Sequence, residues 1–230
     1  MRARYGRNVT SVHYAQLVIN DVLTTILDVV EGVSPWLRTL IASVAIMLET
    51  SILVGLVVPG DTIVIVTATG VTTVFEGIVL GVFIVAGAFA GETIGYMVGR
   101  WAGPWLRRSR VGAWIGERNW SRAEKYLQRR GGIAIFLSRF LPVLHSIVPL
   151  TVGMSGYTYR KFVAWTLPAC ALWATLYISI AAGAAETYRD LSGSAHWAGY
   201  VFIGIIAVGL LLIFAGKKLI GWFEHRHMKD

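Results

Sequence analysis

The stretch LRTLIASVAIMLETSILVGLVVPGDTIVIVTATGVTTV, residues 37–74, decides the fold of this 230-residue chain. Its first part, Leu37 to Val58, is an apolar run with Glu49 near its middle, and the run stops at Pro59-Gly60-Asp61. A shorter apolar run follows, from Thr62 to Val74. Two half-length helices around a Pro-Gly break predict a re-entrant hairpin, which is tolerated at membrane depth only where protein or water shields the backbone.

The composition identifies an all-α integral membrane protein. Hydrophobic residues make up 55% of the chain and charged residues only 15%, whereas soluble domains carry roughly 25% charge. Several apolar runs reach about 18 residues, which is long enough to cross a hydrocarbon core of roughly 30 Å. The chain therefore has too few polar side chains to be a soluble protein.

The formal net charge is +8, and the basic residues cluster beside the apolar runs. The positive-inside rule and anionic lipid headgroups explain this pattern better than nucleic-acid binding does. The single cysteine, Cys170, lies in an apolar run and predicts neither an internal disulfide nor a cysteine metal site. No metal, cofactor or removable signal peptide is expected.

The second half of the chain repeats the pattern of the first. The segment 131–157 is apolar, yet it contains Arg139 and His145 and is interrupted by Pro142 and Pro149. A full apolar span follows each broken segment. This order predicts an inverted repeat of two opposed re-entrant hairpins plus transmembrane helices, a layout typical of many transporters.

The chain is expected to begin with an N-terminal amphipathic or interfacial helix (1–36), followed by a membrane domain (37–183). A C-terminal transmembrane helix (197–220) and a basic tail (221–230) complete it. The membrane domain comprises a hairpin (37–74), a span (78–99), an interfacial basic segment (100–130), a second hairpin (131–157) and a second span (162–183). The basic segment has nine Lys or Arg residues against two acids. It is therefore expected in the cytoplasm, together with the C-terminus. Whether 12–30 crosses the membrane stays open.

Glu49, Asp61 and Arg139 are expected at membrane depth. One unpaired charge at a helix centre costs about 2.5–3.5 kcal/mol on insertion scales, so three cost on the order of 8–10 kcal/mol, comparable to the stability of a whole domain. Glu49 and Asp61 facing Arg139 would offset this cost. Such a group is either a functional site or a salt bridge that joins the two hairpins.

Each of these residues also has a local interpretation. Asp61, after Pro-Gly, is placed to cap the next half-helix, and Arg139 beside a half-helix N-terminus would bind a phosphate. His145 either titrates near neutral pH or donates one ordinary hydrogen bond. Glu92, on the span 78–99, and Arg100, directly after that span, are expected to support the site without binding the ligand. No nucleophile accompanies them, so no catalytic residue and no enzyme activity are predicted.

Several short motifs occur together between residues 37 and 183: Glu49-Thr50-Ser51, Pro59-Gly60-Asp61, Gly91-Glu92, Gly95-Tyr96, Gly99-Arg100, Ser138-Arg139-Phe140-Leu141-Pro142, Pro149, Gly153-Met154 and Trp173. In combination they resemble the DedA family of bacterial membrane proteins, which is related to the wider SNARE-associated or VTT group. The resemblance implies two opposed re-entrant hairpins and a role in moving lipids. The family's acid pair maps onto Glu49 and Asp61, and its first arginine onto Arg139. His145 stands where the family has its second arginine.

The resemblance implies a flippase of polyprenyl (undecaprenyl or decaprenyl) phosphate in the bacterial plasma (inner) membrane. Opposite charges on the two opposed hairpins add the hypothesis that it is proton-linked, with Arg139 and His145 binding the phosphate and Glu49 and Asp61 coupling its movement to protons. The expected partners are the lipid, protons and membrane lipids, and a homo-oligomer is compatible with the sequence. A phospholipid flippase or scramblase, for example for phosphatidylethanolamine, and a proton-coupled cation antiporter stay open as alternatives.

Overall fold

The computed structural model describes residues 18–51, 59–108, 130–141, 144–192, 197–209 and 211, and over these residues the chain is helical with no strands. The all-helical fold class is thus confirmed. In chain order the helices are α1 Val18–Gly32, α2 Pro35–Thr50, α3 Gly60–Thr69, α4 Val74–Arg108, α5 over 130–138, α6 Leu144–Met154, α7 Tyr159–Ser192 and α8 Ala198–Gly209. Predictions that concern 1–17, 109–129 and 212–230 lie outside the described residues.

The described helices include two that are long and apolar enough to cross a membrane, α4 and α7. Helices α1 and α2 meet the same criterion only together, and they are bent by 104° at the break between them. The protein is therefore a multi-pass membrane protein, and its described residues contain two helices that could span the membrane, or three if the bent pair counts as one. The sequence did not predict that α1 and α2 form such a pair.

Both long helices extend beyond the spans expected from hydropathy. Helix α4 has 35 residues and α7 has 34, so each is about 50 Å long at 1.5 Å per residue. Helix α7 continues beyond the predicted end of its span at residue 183 as far as Ser192. The reason is packing, because Ala184, Ala185 and Tyr188 are buried against α1 and α8.

A row of glycines on α4 sets how the shorter helices pack. These glycines recur every four residues and so share one helix face: Gly87, Gly91, Gly95, Gly99 and Gly103. A Cβ at Gly91 would collide with the Thr50 hydroxyl and the Met47 carbonyl of α2, and one at Gly99 with the Leu150 carbonyl of α6. Glycine allows this close approach of helix backbones, so α2 and α6 both lie against one face of α4.

The main hydrophobic core joins α2, α3, α4 and α7, with Phe140 from the turn after α5. Trp173 of α7 is its largest fully buried side chain. A second core cluster joins α4, α5, α6 and the start of α7 around Tyr96 and Phe162. Together these contacts bring the end of α2, the start of α3, the turn after α5 and the start of α6 around the middle of α4 and α7.

Candidate buried charge site

Arg139 is the centre of the site, and its side chain is almost completely buried, at 2% exposure. Its Nη1 lies 3.5 Å from Oε1 of Glu92 on α4, and its Nη2 lies 3.8 Å from Oδ1 of Asp61 on α3. Its Cζ lies 3.8 Å from the ring centroid of Trp173 on α7. One guanidinium therefore meets residues of three helices.

Local sequence explains why Arg139 sits at the end of a helix. The Ser138 hydroxyl donates to the Ile135 carbonyl at 2.7 Å, and the Leu141 N–H donates to the Ser138 carbonyl at 2.9 Å, so the chain turns directly after α5. The next residue in sequence is Pro142, which cannot donate a helical hydrogen bond. Phe140 enters the main core, which fixes the turn and directs Arg139 into the protein.

Glu49 lies in the last turn of α2, with its side chain pointing at the start of α3. Its Oε2 accepts the N–H of Asp61 at 2.6 Å, and a Cβ at Gly60 would collide with the same oxygen. The prediction that Asp61 caps α3 is wrong, because Pro59 holds the N-cap position and no side-chain cap bond is made there. Glu49 supplies the anionic acceptor instead, at the positive end of the helix dipole.

His145 is in the first turn of α6 and is 3% exposed. Its Nε2 lies 3.7 Å from Oε1 of Glu49. The neighbouring Ser146 hydroxyl donates to the Glu49 backbone carbonyl at 2.9 Å. The start of α6 is thus joined to the end of α2 by one polar contact and one hydrogen bond, so the first and second halves of the chain meet at Glu49.

The structure brings together five of the six residues proposed from the sequence, but it pairs them differently. Asp61 and Glu92 face Arg139, whereas Glu49 faces His145 and the N–H of Asp61. Glu92 was expected in a supporting position, yet it contacts Arg139 directly and is 2% exposed.

The structure also shows how three further residues lie relative to this group: Arg100, Cys170 and Trp173. Arg100, eight residues further along α4, is exposed and does not join the group. The Cys170 thiol donates to Oε1 of Glu92 at 3.6 Å. In the sequence, Trp173 was noted only as part of the family motif. Its contact with Arg139 was not predicted, although a guanidinium commonly stacks on an indole ring. Among the described residues, no three His, Cys, Asp or Glu side chains are grouped to hold a metal ion.

The site has unused hydrogen-bonding capacity. Within the described part of the chain, Nε, Nη1 and Nη2 of Arg139, Oδ1 of Asp61 and Nε1 of Trp173 are buried and have no hydrogen-bond partner. Buried polar groups are nearly always paired with protein or water. Ion-pair distances of 3.5–3.8 Å are also longer than charge-assisted hydrogen bonds, which are about 2.7–2.9 Å. Within the described part of the chain, the guanidinium is therefore held by charge and by stacking rather than by direct hydrogen bonds.

Comparison with known proteins gives a family match over more than half of the chain. The family model of the VTT domain matches residues 58–183. This range includes Asp61, Glu92, Arg139, His145 and Trp173 but begins after Glu49.

Three curated relatives show the range of similarity. An uncharacterized membrane protein, slr0232, of Synechocystis is 30% identical over 55% of this chain and 59% of its own length. Protein DedA of Escherichia coli K12 is 28% identical over 56% of this chain and 60% of its own length. Undecaprenyl phosphate transporter A of Bacillus subtilis is 25% identical over 70% of this chain and 83% of its own length. The match thus spans about 60% of the first two relatives, and no solved structure matches significantly.

Proposed function

Because this chain belongs to the VTT-domain family, we propose that it moves a lipid with a phosphate headgroup, specifically a polyprenyl phosphate, across the bacterial plasma membrane. The observation that supports the proposal most directly is the buried Arg139 guanidinium with open donors. A relative named undecaprenyl phosphate transporter A, similar over 70% of this chain, supports the choice of lipid.

The phosphate would bind where Arg139 now faces two carboxylates. A planar guanidinium presents paired N–H donors that match two phosphate oxygens. Trp173 stacks on one face of that plane at 3.8 Å and so fixes its orientation. A bound phosphate would replace the long contacts to Asp61 and Glu92 with direct hydrogen bonds, while the prenyl chain stays among apolar side chains.

The start of α3 offers a second anion-binding element. Its N–H groups and dipole favour a negative ligand, and Glu49 occupies that position now through the Asp61 N–H. Movement of Glu49 toward His145, which is already 3.7 Å away, would free this helix end for the phosphate. Glu49 would thereby hold the empty site closed.

Proton uptake would be linked to lipid binding through the net charge of the site. Three carboxylates face one guanidinium and one imidazole, so with all acids ionised and His145 neutral the site carries 1 − 3 = −2 charges. A phosphate adds further negative charge, which is costly at membrane depth. Proton uptake by His145 or by a carboxylate would offset that charge, and this would link lipid movement to the proton gradient.

The arrangement of the proposed transporter in the membrane follows from charge and repeat order. The domain 37–183 would contain two hairpins, α2–α3 and α5–α6, that open toward opposite sides. The basic segment 100–130 and the C-terminus would lie in the cytoplasm. The site at Arg139 would then be accessible from either side as one hairpin or the other moves. No covalent step is needed.

The test is transport of labelled polyprenyl phosphate by purified protein in liposomes. Arg139→Ala and Glu49→Gln should each lower the initial rate at least about tenfold, since hydrogen bonds to charged groups contribute about 1.5–3 kcal/mol and 1.4 kcal/mol is tenfold. Arg160→Ala, which removes an exposed arginine at the start of α7, is the matched control and should keep the rate. Wild-type rates in both site variants would contradict the proposal.

The same vesicles separate the alternatives. Excess phosphatidylethanolamine should not slow a polyprenyl-phosphate transporter, whereas equal competition would indicate a phospholipid flippase or scramblase. Cation flux driven by a pH gradient without lipid carrier would indicate an antiporter. Recovery of dephosphorylated lipid would indicate an enzyme.

A further inference from the structure

Glu92 is the most deeply buried of the three carboxylates around Arg139. Its side chain is 2% exposed, compared with 10% for Glu49 and 29% for Asp61. It lies well inside the 35-residue helix α4, where the backbone N–H groups are already used in helical hydrogen bonds. The negative charge of Glu92 must therefore be stabilised by side chains of other elements.

The carboxylates also differ in the groups that face them. Glu49 accepts the N–H of Asp61 at 2.6 Å, at the positive end of the α3 dipole. Among the described residues, two groups face the Glu92 carboxylate: the Cys170 thiol, a weak donor at 3.6 Å, and Arg139 at 3.5 Å, which makes no direct hydrogen bond. The charge of Glu92 thus depends on the guanidinium of Arg139 more than the charge of Glu49 does.

A phosphate bound at Arg139 would remove that support from Glu92. The guanidinium is the shared partner of Glu92 and Asp61, and a phosphate that takes its donors adds negative charge at the same place. Asp61 is partly exposed, and Glu49 has both the Asp61 N–H and His145 within reach. Glu92 is left with a thiol. An ionised carboxylate without a partner is so unfavourable in a protein interior that it takes up a proton instead.

We propose that Glu92 is the proton acceptor of the site, ionised while Arg139 faces it and protonated while a phosphate headgroup occupies Arg139. This assignment rests on the proposed function and deepens it, because it gives one residue the proton uptake that the function requires. The proton comes from the water that accompanies the headgroup and returns to water when the headgroup leaves. Glu49 and Asp61 stay ionised, and their role is to hold Arg139 and the start of α3.

The elements packed around the middle of α4 each bring a titratable or charged group to the site: Glu49 from α2, Asp61 from α3, Arg139 from the turn after α5, His145 from α6, and Cys170 and Tyr177 from α7. Of the described residues, Arg139 and Cys170 lie within contact distance of the Glu92 carboxylate. The other groups act on it indirectly, through the position and charge of Arg139.

Cys170 provides a reporter of the protonation state of Glu92. It is the only cysteine of the chain, so the S–H stretching band in the infrared spectrum belongs to this one thiol. Its thiol donates to Oε1 of Glu92. An ionised acceptor receives a stronger hydrogen bond than a neutral one, so protonation of Glu92 should weaken the bond and shift the S–H band.

Infrared difference spectroscopy of the full-length protein in liposomes tests the assignment. The probe is farnesyl phosphate, a short isoprenoid phosphate, added near neutral pH with its binding measured by calorimetry. In the wild type a protonated-carboxyl band should appear and the Cys170 S–H band should shift. Glu92→Gln should abolish both changes, and Glu186→Gln, which removes an exposed acid of α7, should keep both. A carboxyl band that survives in Glu92→Gln would overturn the proposal.

A second variant leaves Glu92 in place and changes only its neighbour. Cys170→Ser puts a hydroxyl, a stronger donor than a thiol, beside the Glu92 carboxyl group, so the carboxyl band induced by farnesyl phosphate should shift in frequency. An unchanged band would place the proton on another carboxyl group and overturn the assignment. Binding without any carboxyl band in the wild type would overturn it as well, because His145 takes up a proton without producing such a band.

The infrared test requires binding but not transport, so the two proposals can fail separately. Wild-type transport in Arg139→Ala and Glu49→Gln, with a carboxyl band that is lost in Glu92→Gln, would refute the proposed function and leave Glu92 as a proton acceptor. Loss of transport in Arg139→Ala, with a carboxyl band that persists in Glu92→Gln, would refute the assignment to Glu92 alone.

Discussion

Two arginines, Arg139 and Arg189, show opposite ways of holding a guanidinium between helices. Arg189 donates two hydrogen bonds to Glu31, at 2.7 and 3.0 Å, and one to the Thr69 carbonyl at 2.7 Å. Arg139 has carboxylates at 3.5 and 3.8 Å, and its nitrogens make no hydrogen bond with the described residues. Its side chain is 1% exposed, against 31% for Arg189.

The difference is the one expected between a structural contact at Arg189 and the binding site proposed at Arg139. Arg189 ties α1, α3 and α7 together with good geometry in a half-exposed position, where solvent screens the charges and a pair contributes little. Burial of the Arg139 charge costs more free energy than partial burial of Arg189, and Arg139 makes no compensating hydrogen bond with the described residues. A buried charge held in this way is weak evidence for a stabilising role. We therefore expect changes at Arg139 to affect transport first and changes at Arg189 to affect stability first.

The largest effect should come from Arg139→Lys, which keeps the charge but removes the planar fork and the surface that stacks on Trp173. Lysine is a point charge that cannot bind two phosphate oxygens side by side. The initial transport rate in liposomes should fall about 30- to 100-fold while the thermal transition stays within a few degrees. A rate above half of the wild-type value would show that charge alone suffices.

Trp173→Leu should have the next largest effect. Cation–π contacts in desolvated sites contribute about 2 kcal/mol, so the transport rate should fall about 10- to 30-fold, and Trp173→Phe should recover part of it. Trp105→Leu changes an exposed tryptophan on α4 and serves as the control. If Trp173→Leu and Trp105→Leu lower the rate equally, stacking has no role at Arg139.

His145→Arg should change the pH profile more than the maximum rate. A histidine loses its charge as the pH rises, so a phosphate site that uses protonated His145 weakens with rising pH. An arginine stays charged throughout such a series. The transport rate of His145→Arg, measured in a symmetric pH series, should therefore vary less than that of the wild type, and two superimposable profiles would exclude His145 as the titrating group.

The smallest effect is expected for Arg189→Gln. Partly exposed ion pairs contribute about 0.2–1 kcal/mol, and 1 kcal/mol corresponds to roughly 2–4 °C for a domain of this size. Tm in detergent should therefore fall by up to about 4 °C, with Asp190→Asn, an exposed neighbour, as the control. A fall of more than about 10 °C would show that Arg189 contributes far more to stability than a partly exposed ion pair does.

The sequence predicted the class of the fold, and it pointed to charged residues that the structure places close together. Low charge content and long apolar runs are sufficient for an all-helical membrane protein, and the break at Pro59-Gly60 located the start of α3. The cost of charge at membrane depth pointed to Glu49, Asp61 and Arg139 before any coordinates. These predictions depend on composition and on strong local breaks, which do not require knowledge of tertiary contacts.

The choice of partners within the site could not be predicted in the same way. Whether Glu49 or Glu92 reaches Arg139 depends on how α2 and α4 are rotated about their axes, and hydropathy does not fix that rotation. The cap on α3 comes from a residue 12 positions earlier, whereas capping rules consider only neighbours along the chain. The extension of α7 to Ser192 depends on its packing against α1 and α8, which is equally non-local.

The glycine row on α4 makes the charge site sensitive to a single methyl group at a position that carries no charge of its own. Because α2 touches α4 backbone to backbone at Gly91, an alanine there would act as a wedge at the end of α2 that holds Glu49. The carboxylate would be displaced from both the Asp61 N–H and His145, although no ionisable group had been altered. The transport proposed for this protein would thus be open to steric control from a position that an inventory of its charged residues would pass over.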